Sequence, residues 1–109
     1  MKKPMTLSNV LRAKNLRQKT IGLLHTKTPQ SLYLQTRFGI HTFGMQYAID
    51  IIILDDQFTV KKMKQNLKPQ QIYLWNPKYQ HVLELPEGTI EKKKINIGDK
   101  IKINHLIIQ

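Results

Sequence analysis

The stretch IHTFGMQYAIDIIILDD, residues 40–56, carries the side chains best suited to chemistry. His41 and Thr42 precede an apolar run in which Asp50 is the first charged residue. An imidazole beside a carboxylate can act as a general base or a metal ligand, and a hydroxyl activated by such a pair can act as a nucleophile. The same groups also serve as hydrogen-bonding residues that fix a turn, which is the structural alternative to a chemical role.

Asp50 has a structural interpretation and a ligand-binding one. It lies at the start of an apolar strand, where burial of an unsatisfied charge would cost several kcal/mol. We therefore expect its carboxylate to accept backbone N–H groups from the preceding HTFGM loop and to fix that turn. A carboxylate that faces a ligand is the alternative.

A catalytic or metal site receives little support from the spacing of these residues. Adjacent residues on an extended chain point to opposite sides, which disfavours a hydrolytic triad of His41, Thr42 and Asp50. A metal would need His41, Asp50 and either His81 or Glu84 to converge, and no His-x-x-His or Glu-x-x-His spacing is present. The absence of cysteine excludes disulfides, thiolate zinc sites and cysteine nucleophiles. We predict no catalytic residue, no metal and no cofactor.

Binding remains the favoured role for this part of the chain. Met45 shares the parity of Phe43 and Tyr47, which favours a place in the core over an apolar patch beside the polar pair. Glu84 alternates with Val82 along a strand and either is an ordinary solvated group or lines the mouth of a barrel. The sequence predicts a pocket for an unknown ligand lined by His41, Thr42, Met45, Asp50 and Glu84.

Short alternating segments must position these residues, because their spacing of roughly 8 to 12 residues is typical of β-strands. The run AIDIIILDD is apolar on both faces and is expected in the middle of a sheet, with FTVKKMK as its hairpin partner after a turn at Asp55 and Asp56. Asn15 can cap a helix over residues 16–24, and Thr89 can cap one helical turn. The remaining strands are predicted in LSNVLRAKN, SLYLQT, QQIYLW, YQHVLEL and DKIKINHLII.

These elements predict a mainly β fold, a small antiparallel β-barrel or sandwich of about seven short strands with one or two short helices. The 109 residues have room for one domain with one modest core, so we expect residues 1–109 to form a single domain.

Motifs in a shared order give the chain a resemblance to a known family. The motifs that carry this resemblance are, in order, GLL, HTFGM, ID, VLELPEG and GD. The chain resembles the domain-of-unknown-function family DUF192, also called UPF0127, over about residues 16–103. Thr26 and Ala48 stand where the family pattern has Arg and Pro. The resemblance implies a compact β-rich barrel without an established activity. The matching positions are Gly22, Leu23, Leu24, His41, Thr42, Phe43, Gly44, Met45, Ile49, Asp50, Val82, Leu83, Glu84, Leu85, Gly88, Gly98 and Asp99.

The charge of the chain suggests a second class of function. The net charge is +11, and no acidic residue precedes Asp50, so the chain would attract nucleic acid. The alternative is a codon bias that fills solvated positions with Lys, since Arg is the preferred residue for bidentate contacts to phosphates and bases. The candidate nucleic-acid residues are Lys2, Lys3, Arg12, Lys14, Arg17, Lys19 and Arg37.

The basic N-terminal segment lacks the apolar core of a signal peptide, and no apolar run is long enough to span a membrane. We therefore expect a soluble, cytoplasmic protein. The favoured function is a binding or accessory module for an unknown small ligand or protein partner, and a non-enzymatic role is preferred. The alternatives are a basic nucleic-acid-binding module and a hydrolase that uses His41 and Asp50. The oligomeric state stays open.

Overall fold

A computed structural model describes residues 4–12 and 31–104, together with the backbone of residues 107–108. The helix predicted over residues 16–24 lies outside these ranges. Within them the elements are β1 (Met5–Ser8), β2 (Leu11–Arg12), β3 (Leu32–Gln35), β4 (Gly39–His41), β5 (Ile49–Leu54), β6 (Val60–Leu67), β7 (Ile72–Leu74), β8 (His81–Pro86), α1 (Thr89–Lys92), β9 (Ile101–Asn104) and β10 (Ile107–Ile108).

The strands form one large sheet and two small ones. The six-stranded sheet has the order β10-β2-β3-β8-β5-β6, and β1 pairs with β9 while β4 pairs with β7. The predicted mainly β class is confirmed. The pairs in the middle of the large sheet are antiparallel, whereas β1–β9, β10–β2 and β2–β3 are parallel. Parallel neighbours are joined by long connections, so local patterns along the chain do not reveal them.

β5 lies between β6 and β8, and all six of its residues are buried, as its apolar faces predict. Two core layers cover its two faces. The first core layer consists of Leu7, Val10, Tyr33, Ile52, Leu54, Val60, Leu83, Leu85, Ile90, Ile95 and Ile101. The second core layer consists of Leu32, Leu34, Ile40, Met45, Ile49, Ile51, Ile53, Leu67, Trp75 and Val82.

The turns at the two ends of this sheet follow the predictions in part. Asp55 Oδ1 accepts the backbone N–H groups of Gln57 and Thr59, both at 2.9 Å, which confirms the turn of the β5–β6 hairpin. The predicted cap at Thr89 is wrong, because the helix N-cap falls one residue earlier at Gly88, where φ is 89°. The Thr89 hydroxyl donates instead to the Pro86 carbonyl at 2.6 Å.

The small β4–β7 sheet is antiparallel and pairs Gly39 with Leu74, Ile40 with Tyr73, and His41 with Ile72. Ile40 faces inward as part of the second core layer. A Cβ added at Gly39 would lie 2.5 Å from Leu74 Cδ2 and 2.7 Å from the Tyr73 carbonyl oxygen. Since the missing side chain allows this close approach, the pairing depends on glycine at position 39.

Within the described residues, no helix has the length and apolar character that crossing a membrane requires.

Candidate functional site

The outer side of the β4–β7 sheet presents large apolar side chains to solvent. The exposed fractions are 71% for Phe38, 45% for Phe43, 61% for Ile72 and 63% for Leu74. These side chains surround a recess of about 260 Å³, which we call the apolar recess. It is lined by Phe38, Gly39, Ile40, His41, Phe43, Ile72 and Leu74.

His41 is the polar side chain of the apolar recess. Its ring stacks on that of Phe43 with the centroids 4.9 Å apart, and Nδ1 accepts the Phe43 backbone N–H at 3.3 Å. A nitrogen that accepts a hydrogen bond carries no proton, so the neutral ring has its proton on Nε2. His41 therefore offers a hydrogen-bond donor beside an apolar surface, a combination common in ligand sites.

Thr42 is a buried residue that holds the turn preceding β7. Its buried hydroxyl donates to the Lys68 carbonyl at 2.6 Å and accepts the Gln71 N–H at 3.0 Å. Its backbone N–H also donates to the Gln71 carbonyl at 2.9 Å. These bonds hold the turn that precedes β7 against the end of β4, so Thr42 positions the sheet and does not line the recess.

Asp50 is fully buried and hydrogen-bonded, as predicted, but its partners are different from those predicted. Oδ1 accepts the Asn66 N–H at 3.1 Å and Oδ2 accepts the Ile90 N–H at 2.9 Å. The expected contact with the HTFGM loop is wrong, because Asp50 alternates with Ile51 and faces the first core layer. Met45, from that loop, packs in the second core layer.

The Asn66 contact has a local cause in the ladder between β5 and β6. Ile49 pairs with Leu67 and Ile51 with Lys64, so two residues of β6 lie opposite Asp50 alone. Such a β-bulge leaves an extra backbone group unpaired. The carboxylate accepts that N–H at the bulge and links β6 to the first turn of α1.

Glu84 is also fully buried, but on the other face of the sheet. It pairs in register with Leu32 and Ile51 of the second core layer, whereas Asp50 pairs with Leu85 of the first. Successive side chains of a strand point to opposite faces, so the two carboxylates point apart.

The five residues of the predicted pocket therefore do not line one cavity. Met45 belongs to the second core layer, in agreement with its favoured interpretation. Thr42, Asp50 and Glu84 are buried in different places, while His41 lines the apolar recess. A ligand-binding role stays a prediction, and His41 is the residue of the set that is placed to serve it.

The hydrolase alternative gains no support from this arrangement. Both carboxylate oxygens of Asp50 accept backbone N–H groups, and His41 Nδ1 accepts the N–H of Phe43. Among the residues that the structure describes, no group of three or more His, Cys, Asp or Glu side chains could hold a metal ion.

A second polar arrangement, absent from the sequence predictions, links Tyr33, His81 and Asp56. The Tyr33 hydroxyl lies 2.7 Å from His81 Nδ1, and His81 Nε2 lies 3.0 Å from Asp56 Oδ1. Burial raises the pKa of Tyr33, the Arg12 charge lowers it in part, and the Asp56 charge raises it. A carboxylate oxygen can only accept, so His81 Nε2–H donates to Asp56, and in the neutral ring Nδ1 then accepts a hydrogen bond from the Tyr33 hydroxyl. Because both ring nitrogens are occupied, the arrangement fastens strands and leaves no free general base.

A polar cavity of about 300 Å³ lies next to Asp56. The exposed Lys61 ammonium lies 3.7 Å from Oδ2 of the half-buried Asp55 at its wall. The cavity is lined by Asp55, Asp56, Gln57, Lys61, Lys78 and Tyr79. Its charges of both signs favour no single class of ligand.

The predicted nucleic-acid residues are described in part. Arg12 and Arg37 are exposed, and Arg37 Nη1 donates to the Pro77 carbonyl at 3.1 Å. The other candidates, Lys2, Lys3, Lys14, Arg17 and Lys19, lie outside the described residues. A continuous basic surface therefore stays a prediction.

Comparison with known proteins decides the family. The sequence model of DUF192, described as uncharacterized ACR, matches residues 2–103. The chain belongs to the DUF192 family. A UPF0127 protein of Pyrococcus horikoshii is 36% identical over 78% of this chain and 78% of its own length. A UPF0127 protein of Pyrococcus furiosus is 30% identical over 87% of this chain and 86% of its own length.

Two crystal structures share the fold of this DUF192 domain, both with a TM-score of 0.68 and 18% identity. One, from Sinorhizobium meliloti, is described as a candidate transcription regulator and is matched over 84% of this chain and 78% of its own. The other, from Novosphingobium aromaticivorans, is a protein of unknown function matched over 85% and 71%. The family has no established activity.

Proposed function

We propose that this DUF192 domain is a binding or accessory module that receives an apolar group of its ligand or partner in the apolar recess. The observation that carries the proposal is the exposure of Phe38, Phe43, Ile72 and Leu74 on one side of one small sheet. Apolar side chains grouped around a recess are more often functional than apolar residues scattered singly, which are ordinary.

The net charge of the chain and the His41 side chain both suit the apolar recess to binding. A net charge of +11 keeps molecules apart in solution, so an apolar surface can stay exposed without self-association. The Nε2–H of His41 gives the recess one directional group, and an apolar lining with a single polar group orients a ligand. We infer that the bound group is apolar and carries a hydrogen-bond acceptor.

Titration with acetophenone, a small aromatic ketone, tests this function. We expect its amide chemical-shift changes, measured by nuclear magnetic resonance, to centre on Gly39, His41, Ile72 and Leu74. Ile72→Ser should weaken binding about tenfold, because a buried apolar contact is worth about 1 to 2 kcal/mol.

Ile97→Ser is the matched control, since Ile97 is 57% exposed and is not part of the apolar recess. This variant should bind acetophenone as the wild type does. Equal weakening by both substitutions, or the absence of saturable shifts in the wild type, would contradict the proposed function.

Nucleic-acid binding is the second candidate, because the net charge of +11 attracts phosphate backbones. The shared fold with a candidate transcription regulator adds only an analogy, since 18% identity does not carry function. Titration of labelled single- and double-stranded oligonucleotides at two salt concentrations tests it. Binding that weakens steeply with salt supports this candidate, and no binding at low salt excludes it.

The cytoplasmic location expected from the sequence also stays a prediction.

A further inference from the structure

The apolar recess lies beside a strand edge that can pair with another chain. We propose that its occupant is an extended, acidic peptide segment of another protein, which adds to the free edge of β4 as a third strand. This inference rests on the proposed function.

The backbone of β4 has hydrogen-bonding groups that point away from β7. Thr42 donates its N–H to the Gln71 carbonyl at 2.9 Å, and Trp75 donates its N–H to the Phe38 carbonyl at 3.3 Å. In an antiparallel pair every second residue bonds to the partner, so Gly39 and His41 turn their N–H and C=O groups outward. Within the described residues, β7 is the one strand that pairs with β4. The outer edge of β4 can therefore template an added strand.

The outer edge of β7 is less suited to this role because it lies against β6. The Lys62 ammonium donates to the Leu74 carbonyl at 3.1 Å, and the Tyr73 hydroxyl donates to the Met63 carbonyl at 3.4 Å. These contacts occupy an outward carbonyl of β7 and place a lysine side chain across it. An added strand is thus directed to β4.

The side chains on the exposed face specify the alternation of the peptide. A strand beside β4 would place every second side chain on the face that holds His41, Ile72 and Leu74. Apolar side chains at those positions would enter the apolar recess. Leu74 Cδ2 lies over Gly39, so a peptide side chain next to Gly39 would contact Leu74 directly.

The charge around the recess selects an acidic partner. Arg37 is exposed next to Phe38, and Lys68 is exposed beside the turn that Thr42 holds. Glu or Asp residues between the apolar positions of a peptide would complement these cations. A second copy of this chain is disfavoured as the occupant, because two copies with a net charge of +11 repel each other.

A fluorescent eight-residue peptide that alternates Leu and Glu is a suitable probe, with binding measured by anisotropy. Its matched control is the same peptide N-methylated at the amides of one edge, which keeps every side chain but removes the backbone donors. We expect N-methylation to weaken binding at least about tenfold, and replacement of Glu by Lys to weaken it by a similar factor.

Protein variants locate the probe on the molecule. Leu74→Ser should weaken the peptide about tenfold, while Ile97→Ser, outside the apolar recess, should leave its affinity unchanged. The amide signals of Gly39 and His41 should shift most, because those groups would form the new hydrogen bonds.

The outcomes separate this inference from the function on which it rests. If acetophenone binds in the recess but the peptide binds no better than its N-methylated form, strand addition is overturned and the apolar binding function stands. If neither binds, both fall. Concentration-dependent dimerisation in sedimentation, with shifts at the β4 amides, would make a second copy the occupant and overturn the peptide proposal.

Discussion

β5 and β7 are both rich in isoleucine and leucine, yet the structure uses them differently. Every side chain of β5 is buried, whereas in β7 Tyr73 is partly buried and its neighbours Ile72 and Leu74 are exposed. β5 has strands on both sides and a core layer on both faces, while β7 belongs to a two-stranded sheet with the second core layer on one face.

Similar compositions therefore have different effects. The apolar residues of β5 stabilise the fold, whereas those of β7 form an exposed apolar surface. An apolar side chain between two layers contributes to the free energy of folding through the area removed from water. The same side chain on an uncovered face contributes little until something binds there.

The largest expected effect is in the middle of β5. Ile52→Ala should lower the free energy of unfolding by about 2 to 5 kcal/mol, because it removes buried methyl groups and leaves a cavity in the first core layer. Ile72→Ala, at an exposed position, should change it by about 0.5 kcal/mol or less. Urea denaturation measures both. Similar losses at the two positions would show that the β4–β7 face is covered in solution.

Asp50→Ala should have the next largest effect. It leaves the N–H groups of Asn66 and Ile90 without their acceptor, and we expect a loss of about 2 to 3 kcal/mol in thermal or urea unfolding. Glu87→Ala is the control, since that side chain is exposed and its removal should cost about 0.5 kcal/mol or less. An Asp50→Ala variant as stable as the wild type would refute the role of this carboxylate.

Gly39→Ala tests the close approach of β4 and β7. The added Cβ would clash with the Tyr73 carbonyl, and a backbone atom cannot rotate away, so we expect a loss of about 1 to 3 kcal/mol. Gly88→Ala meets no atom within 4 Å and should cost only about 1 kcal/mol for its positive φ. Hydrogen exchange should show faster opening of β4 in the Gly39 variant. Unchanged exchange there would contradict the tight pairing.

The smallest expected effect appears in alkali. Burial raises the pKa of both Tyr33 and Tyr73. Above pH 10 the unfolded chain releases these phenolic protons while the folded chain retains them, so stability is complete below that pH and falls as the pH rises further. Tyr33→Phe should reduce the slope of stability against pH in this range. The same slope in the variant and in the wild type would contradict a buried, protonated Tyr33.

Local patterns predicted much of the central sheet. The position of β5, its hairpin with β6 and the turn at Asp55 all follow from a short apolar run next to turn residues. Burial of Asp50 followed from its place in that run. The hydrogen-bond partners of Asp50 could not be predicted, because the bulge at Asn66 and the approach of Ile90 arise from contacts between distant segments.

Other features depend on contacts between distant segments. Whether Asp50 and Glu84 share a face is decided by the register of β5 against β8, which their separate patterns do not contain. Tyr33 and Asp56 lie 48 and 25 residues from His81 along the chain, so no spacing motif links them. In β7 both faces are apolar in sequence, and only the position of the core shows which face is exposed.

The central claim is that the exposed side of the β4–β7 sheet is a binding surface. The most direct test is an amide chemical-shift map of the acetophenone complex, recorded for the wild type and for Ile72→Ser. We expect saturable shifts confined to the residues around the apolar recess, and their loss in the variant. Shifts concentrated at the cavity beside Asp55 and Lys61, or shifts that survive in the variant, would contradict it.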